Sequence, residues 1–580
     1  MKSILTNLLK KYSFWTLSQI ILIAINIYLL TVPSKILGQI IDMLRTGESK
    51  EKIMLTTYYL LGTCLLLLIT RISWKMIDAK VSRNIAKRLR DLLFEKMLKT
   101  DVYELQSMKN GDIMSCFVRD IRQVQRFVSA DISMIVRFVL NFAIVAYTMT
   151  NSTNINLTAI SLCPIIISII FILNRIKKLH KNYNDSRIKF TDLSEYVQES
   201  TDSIRTTKAY VGEDKQYDEF HKKNTALKNL NFELIRNETL VSIYTNLGIA
   251  IGTGLSILYG SNLVLNKVIT VGNFVEFNGY MILLQAPIMW LPWIIKHCKK
   301  VQVAYNRLDK MFKLKEEEIV TEASPNKEEL QGDIEIKNLN FNYPGCIDRA
   351  LEDINISIKK GKSLGIIGVI GSGKTTLMNL LLKLYKVPKG SISIDGKDIN
   401  DIKTDVIRNN ICYITQDNFL FSTTLKENIN LFRDEYDDKE IVDSTKSSMI
   451  YEEIEQMADG INTVIGEKGI DLSGGQKQRV VISRAFLNKS NIVIFDDTFS
   501  ALDNKTEEHL LNNIRELTRD KTCIIVSNRI SDIKHCDEII VLEQGKIVER
   551  GIHNELLKRK NKYYEFYKNQ AEKSNVSILE

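Results

Sequence analysis

The sequence predicts a multi-domain membrane protein, in which an all-α domain of six membrane-spanning helices precedes an α/β domain with a largely parallel sheet. At 580 residues, the chain is too long for a single hydrophobic core. Nearly all of its long apolar runs lie before residue 300. Beyond residue 330, short β-branched runs alternate with helical stretches, which is the pattern of an α/β domain.

Six segments of the first half are long and apolar enough to cross a bilayer, since a span needs about 20 mostly apolar residues. They cover residues 14–36, 53–74, 130–151, 156–175, 240–265 and 272–295. The connections after the second and fourth spans are long, charged and helical in period, whereas the others are short. The fifth span carries small residues at helix-packing spacing. A soluble helical core is a poor alternative, because six such segments would have no water-facing side.

The distribution of charge predicts the orientation of the chain. The net charge is +9, and basic residues crowd the two long connections. By contrast, residues 152–155 carry no basic residue and residues 263–271 carry only Lys267. The positive-inside rule therefore places both termini and the long loops in the cytoplasm. The basic residues form no single stripe, so we expect no nucleic-acid partner. A composition rich in Lys, Ile and Asn suggests a bacterial plasma membrane.

Several polar residues lie within or near the predicted spans. A polar group buried in a bilayer is costly, so the first interpretation of each is that it lines a transport pathway or pairs with another polar group. They are Asn26, Arg137, Asn141, Asn246, Glu276 and Gln285. The alternative for Arg137 and Glu276 is that they lie near span ends and reach the interface. Trp290 and Trp293 in "PIMWLPWII" either line a cavity or pack at the membrane interface. The sequence leaves these alternatives open.

The second half contains a glycine-rich phosphate-binding motif. We divide the chain into a transmembrane domain (1–313), a linker (314–330), a nucleotide-binding domain (331–570) and a tail (571–580). "GIIGVIGSGKTT" follows an apolar strand and opens a helix, so its backbone N–H groups can surround phosphate oxygens. Lys374 would reach the β- and γ-phosphates, and the Thr375 hydroxyl would reach Mg²⁺. The nucleotide-binding residues predicted here are Gly368, Gly371, Ser372, Gly373, Lys374, Thr375 and Thr376. In "VIFD", Asp496 ends an apolar strand and is placed to hold Mg²⁺.

"GIDLSGGQKQRVVISRAF" makes the resemblance specific, because the second half resembles the nucleotide-binding domain of an ABC transporter. Ser473, Gly474, Gly475 and Gln476 match the signature motif of that family. Further matches follow the family's order. They are Tyr343 (stacking on adenine), Gln416 (the loop linking the γ-phosphate and Mg²⁺ site to the membrane domain), "TVIGEKG" (a cross-linking loop of exporters) and "SALD", Ser500 to Asp503 (a loop communicating across a dimer). The first half is similar, more weakly, to the exporter-type membrane domain.

Two positions depart from the family pattern within one site. The residue after the magnesium-binding aspartate is a glutamate in hydrolytic members, where it positions the attacking water, but here it is Asp497. The switch histidine is replaced by Asn528 in "CIIVSNRISD". Asparagine can donate a hydrogen bond but cannot become cationic. The resemblance therefore implies a site that binds ATP but hydrolyses it slowly.

In this family two such domains enclose two ATP molecules, each held by the phosphate loop of one chain and the signature of the other. The resemblance implies that this chain is half of a heterodimeric exporter. A second half-transporter would supply glutamate and histidine, and Ser473, Gly475 and Gln476 would act on ATP bound by that partner. The substrate would be an amphipathic small molecule, a lipid or a peptide moving from or through membrane lipid. The alternatives are an importer built on the same fold and a homodimeric ATP-binding gate with little turnover.

Overall fold

A computed structural model describes residues 2–317, 329–346, 348–466, 472–499 and 504–573. The chain divides into two compact units. The first contains Met1–Thr100 and Glu104–Glu316, and the second contains Asp101–Tyr103 and Glu317–Glu580. The predicted linker falls at this division, but residues 318–328 lie outside the described ranges. The tail from residue 574 onward also lies outside them.

The described residues of the first unit are helical, and one of its short helices, Val102–Gln106, begins within the segment Asp101–Tyr103 that is grouped with the second unit. The α-helices of the first unit are α1 (Lys2–Lys11), α2 (Ser13–Thr46), α3 (Lys50–Leu98), α4 (Val102–Gln106), α5 (Asn110–Ser115), α6 (Ile121–Arg126), α7 (Ile132–Ser152), α8 (Ile155–Asp202), α9 (Ile204–Ala209), α10 (Glu213–Leu265) and α11 (Val271–Phe312). Two π-helical turns, Cys116–Asp120 and Phe127–Asp131, flank α6. The short helix α1 precedes the first spanning helix, α2.

Among the residues that the structure describes, six helical segments are long and apolar enough to cross a membrane, which confirms the predicted number of spans. Each contains one of the predicted segments, but several continue far beyond it. Helix α3 has 49 residues and α10 has 53. At 1.5 Å per residue they are about 74 and 80 Å long, more than twice the hydrocarbon thickness of a bilayer. The long connections are therefore mostly extensions of the spanning helices.

Small residues allow two pairs of spanning helices to pack closely. A Cβ on Gly248 of α10 would lie 2.5 Å from the Ser168 hydroxyl of α8, and one on Gly252 would lie 2.6 Å from the Ser161 carbonyl oxygen. The predicted role of small residues in the fifth span is thus confirmed. Helices α2 and α11 approach in the same way, since a Cβ on Gly279 would lie 2.7 Å from the Ser34 hydroxyl.

The polar residues of the spans have different surroundings. Asn26 joins α2 to α3 by donating to the Thr70 hydroxyl at 2.8 Å. Glu276 is only 5% exposed and accepts a hydrogen bond from the Tyr280 hydroxyl at 2.6 Å. A neighbouring helical turn therefore satisfies the Glu276 carboxylate inside the helical unit, which favours the interpretation of Glu276 as one member of a polar pair. Asn246 and Gln285 are exposed on the surface of the unit.

The described residues of the second unit form two sheets. Its strands are β1 (Ile334–Phe341), β2 (Leu351–Ile358), β3 (Ser363–Ile367), β4 (Ile392–Ile394), β5 (Lys397–Asp398), β6 (Ile411–Ile414), β7 (Ile492–Asp496), β8 (Thr522–Val526), β9 (Glu538–Glu543) and β10 (Lys546–Gly551). A six-stranded sheet has the order β10-β9-β3-β8-β7-β6 and is parallel except at β10. The largely parallel sheet is therefore confirmed.

A second sheet, of order β2-β1-β4-β5, is antiparallel throughout, and the sequence did not predict it. Strand β1 alternates between buried and exposed residues over part of its length, whereas β7 is buried at every position. This difference is the one expected between a sheet with one solvated face and a parallel sheet covered on both faces.

Helices cover the six-stranded sheet on both faces. They are α12 (Lys374–Leu381), α13 (Thr404–Asn410), α14 (Leu425–Asn430), α15 (Asp438–Ser447), α16 (Tyr451–Glu455), α17 (Gly474–Leu487), α18 (Asn504–Leu517), α19 (Ile530–Ile533), α20 (His553–Arg559) and α21 (Lys562–Lys573). Alternate residues of β7 enter different cores: Val493 and Phe495 pack in one apolar cluster, and Ile492 and Ile494 in the other. This alternation explains why β7 is apolar at consecutive positions.

Candidate nucleotide-binding site

Three adjacent parallel strands bring the predicted site residues to one edge of the six-stranded sheet. Strands β3, β8 and β7 are neighbours in this order, with Ile366 paired to Val526 and Val526 paired to Asp496. The chain leaves β3 into the glycine-rich loop, β7 into Asp497 and β8 into Asn528. Ligands of open α/β sheets bind at this carboxyl edge.

The loop after β3 has the backbone geometry of a phosphate cradle. Gly371 and Gly373 have φ of +82° and +102°, values at which a side chain would be strained. A Cβ on Gly368 would collide with the Leu542 carbonyl oxygen, whereas one on Gly371 would meet nothing within 4 Å. The Ser372 hydroxyl is buried and has no hydrogen-bond partner in the described part of the chain. The loop thus leaves open space beside Gly371 and contains a hydroxyl group, that of Ser372, without a hydrogen-bond partner among the described residues.

Lys374 holds a positive charge inside this loop. Its Nζ donates to the carbonyl oxygens of Gly368 at 2.7 Å and Val369 at 3.1 Å. Burial lowers the pKa of Lys374, and the nearby charges of Asp497 and Asp496 oppose that change. An ammonium group at the amino end of α12 suits the phosphates of a nucleotide.

Asp496 supplies a buried carboxylate at the end of β7. It is 2% exposed and accepts a hydrogen bond from the Tyr413 hydroxyl at 2.9 Å. Burial raises the pKa of Asp496, while hydrogen bonds from Tyr413 and the Thr375 hydroxyl lower it. A carboxylate beside a hydroxyl oxygen is a donor set that Mg²⁺ accepts. The residues of the site therefore fit a nucleoside triphosphate with Mg²⁺.

Asp497 and Gln416, which lie 81 residues apart in the sequence, are in contact. Gln416 Nε2 donates to Asp497 Oδ2 at 3.1 Å. The backbone N–H of Asp497 donates to the Val526 carbonyl at 2.8 Å. Asp497 has φ of +47°, a left-handed conformation that aspartate tolerates better than most residues. The structure therefore brings together the two residues predicted to face the γ-phosphate.

The segment containing Asn528 is held by the C-terminal helix. Gln570 of α21 donates from Nε2 to the Asn528 carbonyl at 2.7 Å and accepts from the Ile530 N–H at 2.9 Å. Gln570 was not predicted, because no local pattern in the sequence connects it to a loop 42 residues earlier. Tyr413 was not predicted either, although a tyrosine in an apolar strand just before Gln416 is a signal for a residue of this site.

Tyr343 lies beside the start of α12, and its position relative to a base stays a prediction. The Tyr343 hydroxyl and the Thr376 hydroxyl are 2.8 Å apart and share a hydrogen bond. The Tyr343 ring packs edge-on against Tyr385, with centroids 5.2 Å apart. These contacts fix the half-buried ring next to the glycine-rich loop.

The signature residues form a capped helix start. Ser473 caps α17 by accepting from the Gln476 N–H at 3.3 Å, and Gln476 Oε1 accepts from the Ser473 N–H at 2.8 Å. Ser473 and Gly474 are exposed and Gly475 is partly exposed, so this helix end is accessible. The predicted "SALD" loop and residues 467–469 of "TVIGEKG" lie outside the described residues.

Fold and site together define a class: a membrane-spanning helical unit joined in one chain to a nucleotide-binding α/β unit. The family model of the ABC transporter transmembrane region matches residues 15–288, and the family model named ABC transporter matches residues 351–500. The chain belongs to the ABC transporter family, whose ATP-binding domain implies ATPase activity.

Curated relatives match over nearly the whole chain. The chain is 31% identical over 97% of its length, and 96% of the relative's, to a multidrug resistance-like ATP-binding protein MdlA of Buchnera aphidicola. It is 30% identical over 96% of its length, and 95% of the relative's, to a probable multidrug resistance ABC transporter ATP-binding/permease protein YheI of Bacillus subtilis. A bacterial Atm1-family ABC exporter solved with ATP bound has the same fold, with a TM-score of 0.78 and 21% identity over 97% of this chain and 98% of that one.

Proposed function

We propose that this chain is one subunit of a heterodimeric, ATP-driven exporter of the bacterial plasma membrane. It would move amphipathic small molecules, lipids or peptides outward, with its nucleotide-binding unit in the cytoplasm. The names of the bacterial relatives support multidrug-type transport. The basic residues of the long helical extensions support the orientation.

The site on this chain would bind ATP with Mg²⁺ and hydrolyse it slowly. The contact between Gln416 and Asp497 carries this proposal, because it puts the shortened carboxylate beside the residue assigned to the γ-phosphate. Aspartate is one methylene shorter than glutamate, and a displacement of about 1 Å can cost roughly a hundredfold in rate. Asn528 adds a second deficit, since an amide cannot supply the positive charge of a protonated histidine.

The ATP-binding groups themselves are retained. Lys374 would bind the phosphates, and Thr375, Asp496 and Gln416 would hold Mg²⁺, whose charge would neutralise the phosphates when it is bound. Tyr343 would stack on the base. A site with these groups and a weakened base is expected to keep its ATP bound. The competent site that is shared with the partner would meanwhile hydrolyse ATP many times.

The signature motif supports the heterodimer. Ser473, Gly475 and Gln476 match the family, and they occupy an exposed helix start where backbone N–H groups favour an anion. A partner with glutamate and histidine at the positions of Asp497 and Asn528 would bind ATP against this signature. That composite site would perform most of the hydrolysis.

The test is to purify this chain alone and together with a co-expressed candidate partner, and to measure ATP binding and ATPase activity in both. We expect the isolated chain to bind ATP with little turnover and the pair to be active. Lys374→Ala in this chain is the control for nucleotide binding. A brisk ATPase in the isolated chain would contradict the proposal. Low turnover with no partner recovered would favour the homodimeric gate.

A further inference from the structure

A cationic side chain lies between three spanning helices of the first unit. Arg137 of α7 lies over the indole of Trp74 from α3, with its guanidinium carbon 5.5 Å from the ring centroid. The same guanidinium lies 4.9 Å from the ring centroid of Trp290, from α11. Two aromatic faces from two other helices thus fix the position of one charge.

Arg137 has no acidic counter-charge in the described part of the chain. Within those residues it makes no hydrogen bond and no ion pair, and the charge nearby is that of Arg71, which has the same sign. Asp78, the acidic residue nearest to Trp74 along α3, accepts hydrogen bonds from Gln19 Nε2 at 2.8 Å and the Ser133 hydroxyl at 3.4 Å, and in the described residues it forms no ion pair with either arginine. Two guanidinium groups therefore share a region of the membrane domain without an ion-pair partner among the described residues.

Asp131 is the other acidic group near the start of α7, and it faces a different neighbour. It is fully buried in the π-helical turn Phe127–Asp131, and its carboxylate lies 3.8 Å from His297 Nδ1 of α11. It is six residues before Arg137, about 9 Å along a helix. An external anion is therefore the remaining source of compensation for the two arginines.

The accessibility and shape of this cluster indicate what the anion looks like. Arg71 is exposed and Arg137 is partly exposed, so a ligand can reach both guanidinium groups. Planar guanidinium groups bind carboxylate, sulfonate or phosphate groups through two parallel hydrogen bonds. The partly exposed indole of Trp290 offers contact to an apolar body, and so do Val136 and Leu140, which are partly exposed and pack against the cluster around Trp74.

We propose that Arg137, Arg71, Trp74 and Trp290 form a binding site for an anionic amphipath with a flat apolar body. This inference rests on the proposed export function and names its substrate class. The guanidinium of Arg137 covers one face of each indole. A lipophilic cation with the same shape as this anion would therefore be repelled by the arginine charge, and the two indoles would not enclose it. The same anionic chemistry is available from a free organic anion and from an anionic lipid headgroup.

The experiment uses two probes with one aromatic body and opposite charge, 1-pyrenesulfonate and 1-pyrenemethylammonium. The intact transporter is placed in nanodiscs of zwitterionic lipid, and binding is followed by energy transfer from tryptophan, of which this chain has four. We expect the sulfonate to bind at least about tenfold more tightly than the ammonium. Equal affinity of the two probes would overturn the proposal.

Variants locate the site. Arg137→Gln and Arg71→Gln should each weaken pyrenesulfonate binding about tenfold, and Arg137→Lys should restore it only in part, because the charge returns without the planar fork. Arg205→Gln on α9 removes the same charge from an exposed position and should have no effect. Arg71→Gln is the variant that remains informative if changes at Arg137 disturb folding. Unchanged affinity in both glutamine variants would refute the site.

A second set of nanodiscs contains phosphatidylglycerol. Competition by this lipid would identify a headgroup as the occupant, and undiminished pyrenesulfonate binding would identify a free organic anion. ATPase activity is measured in the same samples, with and without the partner chain. Failure of the heterodimer proposal would appear as partner-independent turnover, whereas failure of the anion site would appear only in the probe affinities.

Discussion

At the scale of single residues, Asp497 is defined by its backbone as much as by its side chain. Its φ of +47° turns the chain sharply after β7, and its N–H is bound to the Val526 carbonyl of β8. The carboxylate is therefore directed by a fixed turn and is held by Gln416. A side chain in this setting has little freedom to compensate for a missing methylene.

Restoring the family residues should raise the activity of this site. We expect Asp497→Glu combined with Asn528→His to increase the turnover of the assembled pair, with a gain of up to about a hundredfold at this site. Single-turnover ATP hydrolysis with the partner's own catalytic glutamate replaced by glutamine would isolate the effect. Asp497→Asn is the matched control and should lower any residual rate. No gain in the double variant would argue against a defect of the chemical step.

A second prediction concerns pH. The pKa of Asp532 is raised to about 7, mainly by burial and to a smaller extent by the negative charge of its neighbour Glu507. Hydrogen bonds from Ser527 and Ser531 oppose this change. Between pH 4 and 7 the folded chain then holds a proton that the unfolded chain has released. Stability should fall as pH rises through this window, by at most about 1.4 kcal/mol per pH unit.

The check is calorimetric unfolding of the second unit, within the full chain, between pH 4.5 and 7.5. Asp532→Asn remains neutral, keeps an acceptor for the Ser527 hydroxyl and should flatten the slope. Asp520→Asn, at an exposed position, should leave the slope unchanged. Equal slopes in the wild type and in Asp532→Asn would show that Asp532 titrates at an ordinary value.

At the scale of elements, the sequence predicted what is encoded locally. Four apolar residues followed by Asp496 indicate a buried strand ending at a metal-binding position, and glycines before Lys374 indicate a turn into a helix. The antiparallel sheet was missed because β4 and β5 have only three and two residues, too short to show a period. The contact of Gln570 with Asn528 depends on the path of α21, which no short pattern specifies.

Helix α21 should affect the conformation of the loop that follows β8. Gln570→Leu removes both hydrogen bonds to this loop, and we expect faster amide exchange at residues 527–530 and weaker ATP binding, by several-fold. Gln570→Glu keeps the acceptor for the Ile530 N–H and should be intermediate. Glu565→Gln, on the same helix, is the control. Unchanged exchange in Gln570→Leu would show that packing alone holds the loop.

At the scale of the whole molecule, the central expectation is that the two nucleotide sites of the assembled pair hydrolyse ATP at very different rates. If the signature of this chain completes the partner's site, Ser473→Arg should abolish most ATPase activity of the pair. Asp497→Asn, which affects only the slow site, should reduce it far less. Steady-state ATPase measurements on the two variants, each assembled with the wild-type partner, make the comparison. Equal losses would contradict two unequal sites.

The uninterrupted length of α10 has a mechanical consequence. Its 53 residues form one α-helix of about 80 Å. A rigid rod of that length, tilted by about 5° at one end, moves its other end by roughly 7 Å. Rotations too small to disturb the Gly248 and Gly252 contacts with α8 would therefore appear as large displacements at the far end of the rod, so the distant tips are where spin labels would detect transport-related motion most sensitively.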